Sequence, residues 1–255
     1  MTVPISNLGL EPEGPPGYTY AAVLVRMGDR IDAREELIVI LRGMRFSGWV
    51  APPENGWLPV VPSGAGTVAA ERRGVVGVGE ALAESLATSC LALRVLMDRQ
   101  LVLVAWESGR EVARYVSDPS REPRAAADVL PDPFGAEGAD AIAALCGRSE
   151  AGEDLGELLA EPLDPDQQIE SERLDRVLRL LALPTWLVNA WRLPRVMSTG
   201  PAPRELIRLR AGHTGIYGRV AGRAASRGRR WRIPPPVLTD PPRGDSGMDD
   251  MAMWL

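Results

Sequence analysis

Lysine is absent from this 255-residue chain; all 29 basic residues are arginine. Histidine occurs once, at His213, and cysteine twice, at Cys90 and Cys146. One imidazole leaves no material for a multi-histidine metal centre. Two widely spaced cysteines argue against a disulfide scaffold and for a reducing, cytoplasmic setting. The longest uncharged apolar stretch approaching membrane length, residues 180–191, is 12 residues between Arg179 and Arg192. That is well short of the roughly 20 needed to span a bilayer. Residues 1–17 carry no basic residue and no apolar run, so they read as a flexible Pro/Gly leader and not as a secretory signal. Missing Lys beside plentiful Arg, Ala, Gly and Pro reads as the codon bias of a GC-rich bacterial genome, which attaches no function to Arg as such.

The composition that remains, 45% hydrophobic and 25% charged, is that of a folded globular chain. The net charge of −5 hides a strong division. Residues 118–172 hold 15 acids against 3 Arg, whereas residues 204–232 hold 9 Arg against the single acid Glu205. This segregation is the least random feature of the sequence.

Residues 18–25 (YTYAAVLV) read as a buried strand, and Asp32 with Glu35 as the N-terminal box of a helix that stops near Gly43. Two strands, 46–51 and 57–61, flank Asn55-Gly56, a pair suited to a tight hairpin. A helix near 78–89 precedes strands at 91–97, 100–106 and 110–117. The first of these alternates as a half-buried strand does. The order β-α-β-β, α-β-β-β predicts an α+β fold: a mostly antiparallel sheet with helices on one face. Residues 18–117 form that sheet domain, and the Pro/Asp-rich residues 118–135 a linker or long surface loop. Helices are expected over 136–146, 152–160 and 166–182 within a helical region spanning 136–203. In the last, Asp164 caps, Pro165 opens and Leu174, Val177, Leu178 and Leu181 form a stripe. Trp186 and Trp191 read as packing residues. An Arg-rich arm follows at 204–232, with 204–210 and 215–226 read as helical. The Pro-rich tail, 233–255, contains a stretch at 233–242 expected to be extended and unpacked.

Motifs with chemical potential are few. Residues 64–69 (GAGTVA) lack the parallel βαβ setting of a dinucleotide loop and read as a flexible loop. Cys90 opens an apolar strand and Cys146 ends an apolar helix, so both read as packed thiols. Asp164, Asp166 and Glu170 lack the glycine turn of a calcium loop, since Ile169 stands in its place. Asp98, Arg99, Glu107 and Glu111 fall at turns and read as solvated. No catalytic residue, metal site or cofactor is assigned, because no nucleophile, base and oxyanion donor stand together.

The basic arm carries the site assignment: Arg204, Arg208, Arg219, Arg223, Arg227, Arg229, Arg230 and Arg232 as an anion- or partner-binding set, with Leu206, Ile207, Leu209, Ile216, Tyr217 and Val220 as apolar companions. Only Tyr217 and Trp231 can stack on bases. Three readings of the arm stand side by side: docking on the acidic helical segment of the same chain, binding an anionic membrane surface or nucleic acid, or solvation. For the whole chain the reading is a non-enzymatic, cytoplasmic interaction or regulatory protein with a protein partner. An anion-binding module using the arm is the alternative, and an enzyme built on carboxylates or Cys90 the third possibility.

Overall fold

The computed structural model describes residues 17–28, 33–63, 74–123, 125–126, 128–162, 169–227 and 236–238. The chain runs β1 (Tyr20–Arg26), α1 (Ala33–Gly43), β2 (Gly48–Val50), β3 (Trp57–Pro62), α2 (Val75–Leu86), β4 (Ser89–Leu96), β5 (Gln100–Glu107) and β6 (Arg110–Val116). Then come α3 (Ala139–Leu145), α4 (Gly152–Ala160), α5 (Glu170–Leu180), a 3-10 stretch (Thr185–Arg192), β7 (Ile207–Leu209) and α6 (Gly215–Arg227). The sheet has seven strands in the order β6-β5-β4-β1-β3-β2-β7, antiparallel at every pairing. The fold is α+β.

Local chemistry sets the turns. Asn55 and Gly56 take positive φ (52° and 80°), which closes the hairpin between Glu54 and Trp57 as the Asn-Gly pair predicts. Ser108 and Gly109 (49° and 84°) do the same between β5 and β6. At the β4–β5 turn the left-handed pair is Met97-Asp98, one residue earlier than the Asp98-Arg99 turn read from sequence.

Both faces of the sheet are covered. Ala21, Val23 and Val25 of β1 join the core under α1 and α2, while Tyr20, Ala22 and Leu24 join the core under α3, α4, α5 and the 3-10 stretch. Residues 18–25 form a continuous apolar run because a strand buried on both sides has no solvent face to make polar. The same fact corrects the half-buried reading of 91–97. In β4, Ala92 and Arg94 are as buried as Leu91, Leu93 and Val95.

Three further expectations change. The helix read over 166–182 begins at Glu170, and Asp164 and Pro165 lie outside the described residues, as does Asp32. Residues 204–210 are not a helix: a 3-10 turn (Pro203–Glu205) leads into β7, which pairs with β2. β2 offers a free edge, and Ile207 and Leu209 suit a strand better than a short, uncapped helix. Val237, inside the stretch read as unpacked, is buried in the α1/α2 core.

Candidate interaction surface

Among the described residues the cysteines are buried and several of the turn carboxylates are bonded, whereas Glu107 and His213 are exposed. Cys90 and Cys146 sit in the two cores, and burial pushes each thiol up to about 12. A thiol so raised holds almost no thiolate at neutral pH. Asp98 is buried, not solvated as its turn position implied. Its carboxylate accepts from the Tyr18 amide at 3.2 Å, from the Ser171 amide at 3.1 Å and from the Ser171 hydroxyl. It is a clasp that fixes the β4–β5 turn to the start of α5. Glu107 is exposed, and Glu111 is bonded to Arg114 at 2.7 Å. Among the described residues no cluster of His, Cys, Asp and Glu has a metal-holding arrangement. Residues 64–69 and Asp166 fall outside the described residues.

Two buried ion pairs escaped the sequence reading. Arg94 donates to Gln100 at 2.8 Å and to the Glu122 carboxylate, inside the α1/α2 core. Its signal was an arginine at an apolar position of a strand. Arg173 donates to the Tyr115 hydroxyl at 2.6 Å and the Glu161 carbonyl at 2.5 Å, with Nε 3.6 Å from Glu170. Burial lifts the Glu170 carboxyl above its ordinary range, opposed chiefly by Arg173 and also by Ser117 and the Leu101 amide. The i,i+3 spacing of Glu170 and Arg173 is legible in sequence, but spacing alone describes any exposed helix pair.

Two clefts among the described residues have polar groups that already bond one another. One of about 770 Å³ between α4 and α5 is walled by Arg148, Glu150, Asp154, Glu157, Arg176 and Arg179. Arg148 bonds Glu150 and Arg176 bonds Glu161 across it. The other, about 650 Å³, lies beside the stacked rings of Tyr18 and Trp191 (centroids 3.9 Å apart), and its polar groups Asp98 and Ser171 already bond one another. Trp186 packs as expected and donates to Glu54 at 3.0 Å. Trp191 does its packing at the surface, on Tyr18.

The arginine arm is spread over distinct settings. Arg204 is exposed in its 3-10 turn. Arg208, on β7, lies over the Trp49 ring at 5.6 Å, and partial burial with Arg210 nearby lowers its pKa. Arg219 and Arg223 are exposed on α6, and Arg227 is its last residue. Arg229, Arg230 and Arg232 lie outside the described residues.

Among the described residues, β7 at the start of the arm stands away from the acidic helices. β7 is one edge of the sheet and β6 the other, six strand spacings or about 29 Å away. α3 packs on β5 and β6 and α4 packs on α3, so the acidic helices occupy the far end. The segment's acids in described ion pairs meet its own Arg121 and Arg148 and, from outside it, Arg94, Arg173 and Arg176.

No family model matches this sequence, and neither a curated protein nor a solved structure does. The site must therefore be read from its own geometry.

That geometry centres on α6. Gly218 and Gly222 let the helix settle on the Arg210 side chain, a Cβ built on either falling 3.5 and 3.2 Å from the Arg210 Cβ. With the narrow glycine face inward, the apolar residues point away: Ile216 is 69% exposed, Tyr217 84% and Val220 65%. At 3.6 residues per turn these three fall within about 100° of arc, with Arg219 and Arg223 beside them. From residue 206 to 239 the sequence has eight Arg and no acid. Among the described residues, an exposed apolar stripe of this kind beside arginines is a candidate interaction surface.

Proposed function

We propose that the protein is a non-enzymatic interaction protein that docks on an anionic membrane surface through α6. The outward Ile216, Tyr217 and Val220 beside Arg219 and Arg223 carry this reading. An interfacial helix needs apolar side chains to enter the acyl boundary and cations to meet the headgroups, and it needs both on one side. Among the described residues no helix is long and apolar enough to cross a membrane, so attachment in this reading is peripheral and the protein cytoplasmic. Nucleic acid would use the same cations but leave Ile216 and Val220 idle, and Tyr217 alone makes a poor stacking platform.

Co-sedimentation with vesicles of phosphatidylglycerol in phosphatidylcholine, against phosphatidylcholine alone, tests the proposal. Anionic vesicles should retain the protein, and binding should fall steeply with salt. Arg227→Gln/Arg229→Gln/Arg230→Gln removes three cations worth about 1 kcal/mol each near such a surface, a loss of roughly a hundredfold. Ile216→Ser/Val220→Ser should weaken vesicle binding while leaving any binding to a duplex oligonucleotide as it was. Absence of vesicle binding at low salt ends the membrane reading; duplex binding that survives the serine pair would replace it with nucleic acid.

A further inference from the structure

Independently of α6, the α1/α2 face holds a second site, built around Val237. This residue lies ten positions beyond the end of α6, is buried to 4% exposure and packs in the α1/α2 core. Its main chain is read at both ends by side chains. The amide donates to Glu122 Oε2 at 2.6 Å, and the carbonyl accepts from Arg114 Nη1. Pro236 precedes it and the half-buried Leu238 follows, also against the core.

The two reading side chains are positioned by groups other than Val237. The second oxygen of Glu122 is held by Arg94, with both side chains 3% exposed. Arg94 is fixed in turn by Gln100 at 2.8 Å, which donates to the Asp118 carbonyl at 2.7 Å. Arg114 has its Nε and Nη2 on the Glu111 carboxylate, leaving Nη1 to point at the ligand. An acceptor and a donor thus grip the amide and carbonyl of one residue whose side chain enters the core. That arrangement recognises a peptide through its backbone, with side-chain shape supplying the selectivity.

We propose that this cleft, formed by Glu122, Arg114 and the core beside them, is a binding site for a peptide segment that presents a proline followed by two branched apolar residues. Residues 236–238 are its built-in occupant. A partner segment of that chemistry must displace them, and a tethered occupant competes at an effective concentration on the order of millimolar. Buried Glu122 makes the ligand's N–H indispensable, because a carboxylate oxygen out of water needs a donor.

The test uses the full-length chain and a fluorescent synthetic peptide with the sequence of residues 233–240, followed by polarisation. Val237→Asp empties the cleft and should bind the peptide at least tenfold more tightly than the unaltered chain, whose own tail blocks entry. A peptide N-methylated at its valine lacks the N–H for Glu122 and should lose tenfold to a hundredfold. Should Val237→Asp fail to melt cooperatively, Val237→Ala takes its place, with the same order of affinities and a smaller gain. A cooperatively folding variant that binds no peptide overturns the proposal. So does an N-methyl peptide that binds equally well, or an unaltered chain that binds as tightly as the variant.

Discussion

Replacing Arg173 by Met puts the buried ion pair of α5 under the most direct strain. Arg173 is 2% exposed and bridges three elements: α5 itself, β6 through the Tyr115 hydroxyl, and the end of α4 through the Glu161 carbonyl. Tyr115 passes the bond on to the Leu159 carbonyl at 2.9 Å. Methionine fills much of the volume but removes both bonds and strands Glu170, itself 0% exposed. Breaking one side of a buried pair costs about 3–5 kcal/mol. For a chain of this size each kcal/mol moves the melting temperature about 2–4 °C, so the midpoint should fall by roughly 6–20 °C. The double change Arg173→Met/Glu170→Leu should recover most of that, because two well-packed apolar residues often replace a buried pair at no net cost.

The loss should also depend on pH, in a direction fixed by Glu170. Its folded carboxyl lies above the ordinary range because of burial, and Arg173 is the largest influence pulling it down. Without Arg173 it rises further. A raised carboxyl binds its proton more tightly in the folded state than in the unfolded one. The associated stability is present below the unfolded value and is lost as pH climbs through the folded value. The deficit of Arg173→Met should therefore be largest near neutral pH and shrink on acidification toward the unfolded carboxylate range. Urea denaturation followed by circular dichroism between pH 5 and 8 measures it. A loss under about 1 kcal/mol, a double variant no better than the single one, or a deficit flat with pH would refute the reasoning.

Three other outcomes follow from the same coordinates. Gly212→Ala should cost more than about 1 kcal/mol and expose the β7–α6 junction to amide exchange, since Gly212 has φ +83° and its Cβ would fall 2.6 Å from the Arg42 carbonyl oxygen; unchanged protection at Ala211 and Gly212 would count against the packing described. An aromatic disulfide reagent at pH 8 should modify Cys90 and Cys146 no faster than the chain unfolds, with both reacting at once in denaturant; rapid native-state labelling would place a thiol nearer solvent than the fold does. Ile216→Ser/Val220→Ser should leave the melting temperature within about 1–2 °C of the unaltered chain, because exposed side chains contribute within about 0.5 kcal/mol; a larger drop would mean the apolar face of α6 is packed and not presented.

Features governed by neighbouring residues were legible before any coordinates. Asn55-Gly56 announces its hairpin because two consecutive positive φ angles are easiest for such residues. The uninterrupted apolar character of residues 18–25 marks a buried strand, and it also carried an unused message, that both faces of the sheet would be covered. What stayed hidden depends on partners distant in the chain. Residues 204–210 look helical until the unpaired edge of β2 is in view, where Trp49 meets Arg208 across the strands. Arg94 looks like the polar side of a half-buried strand until Glu122 and Gln100 surround it. Val237 looks like one more residue of a proline-rich tail until two side chains are found holding its amide and carbonyl. Of the eight arginines assigned as the binding set, Arg204, Arg208, Arg219 and Arg223 are exposed, with Arg208 lying over an indole.

A chain with a single kind of cation allows its arginines to be sorted by what they touch. Arg94, Arg114 and Arg173 donate to carboxylates, carbonyls, an amide oxygen and a phenol within the body. Arg208, on β7, sits at the opposite edge of the sheet from the acidic helices α3 and α4, too far for exposed charges to feel one another through a Debye length of about 8 Å. Moving it toward them would cost the β7 pairing with β2. The stripe of Ile216, Tyr217 and Val220 beside Arg219 and Arg223 is a surface to which solvent is a poor match. In the function we propose, an anionic, partly apolar partner satisfies both halves of that surface at once, which favours this edge over either cleft.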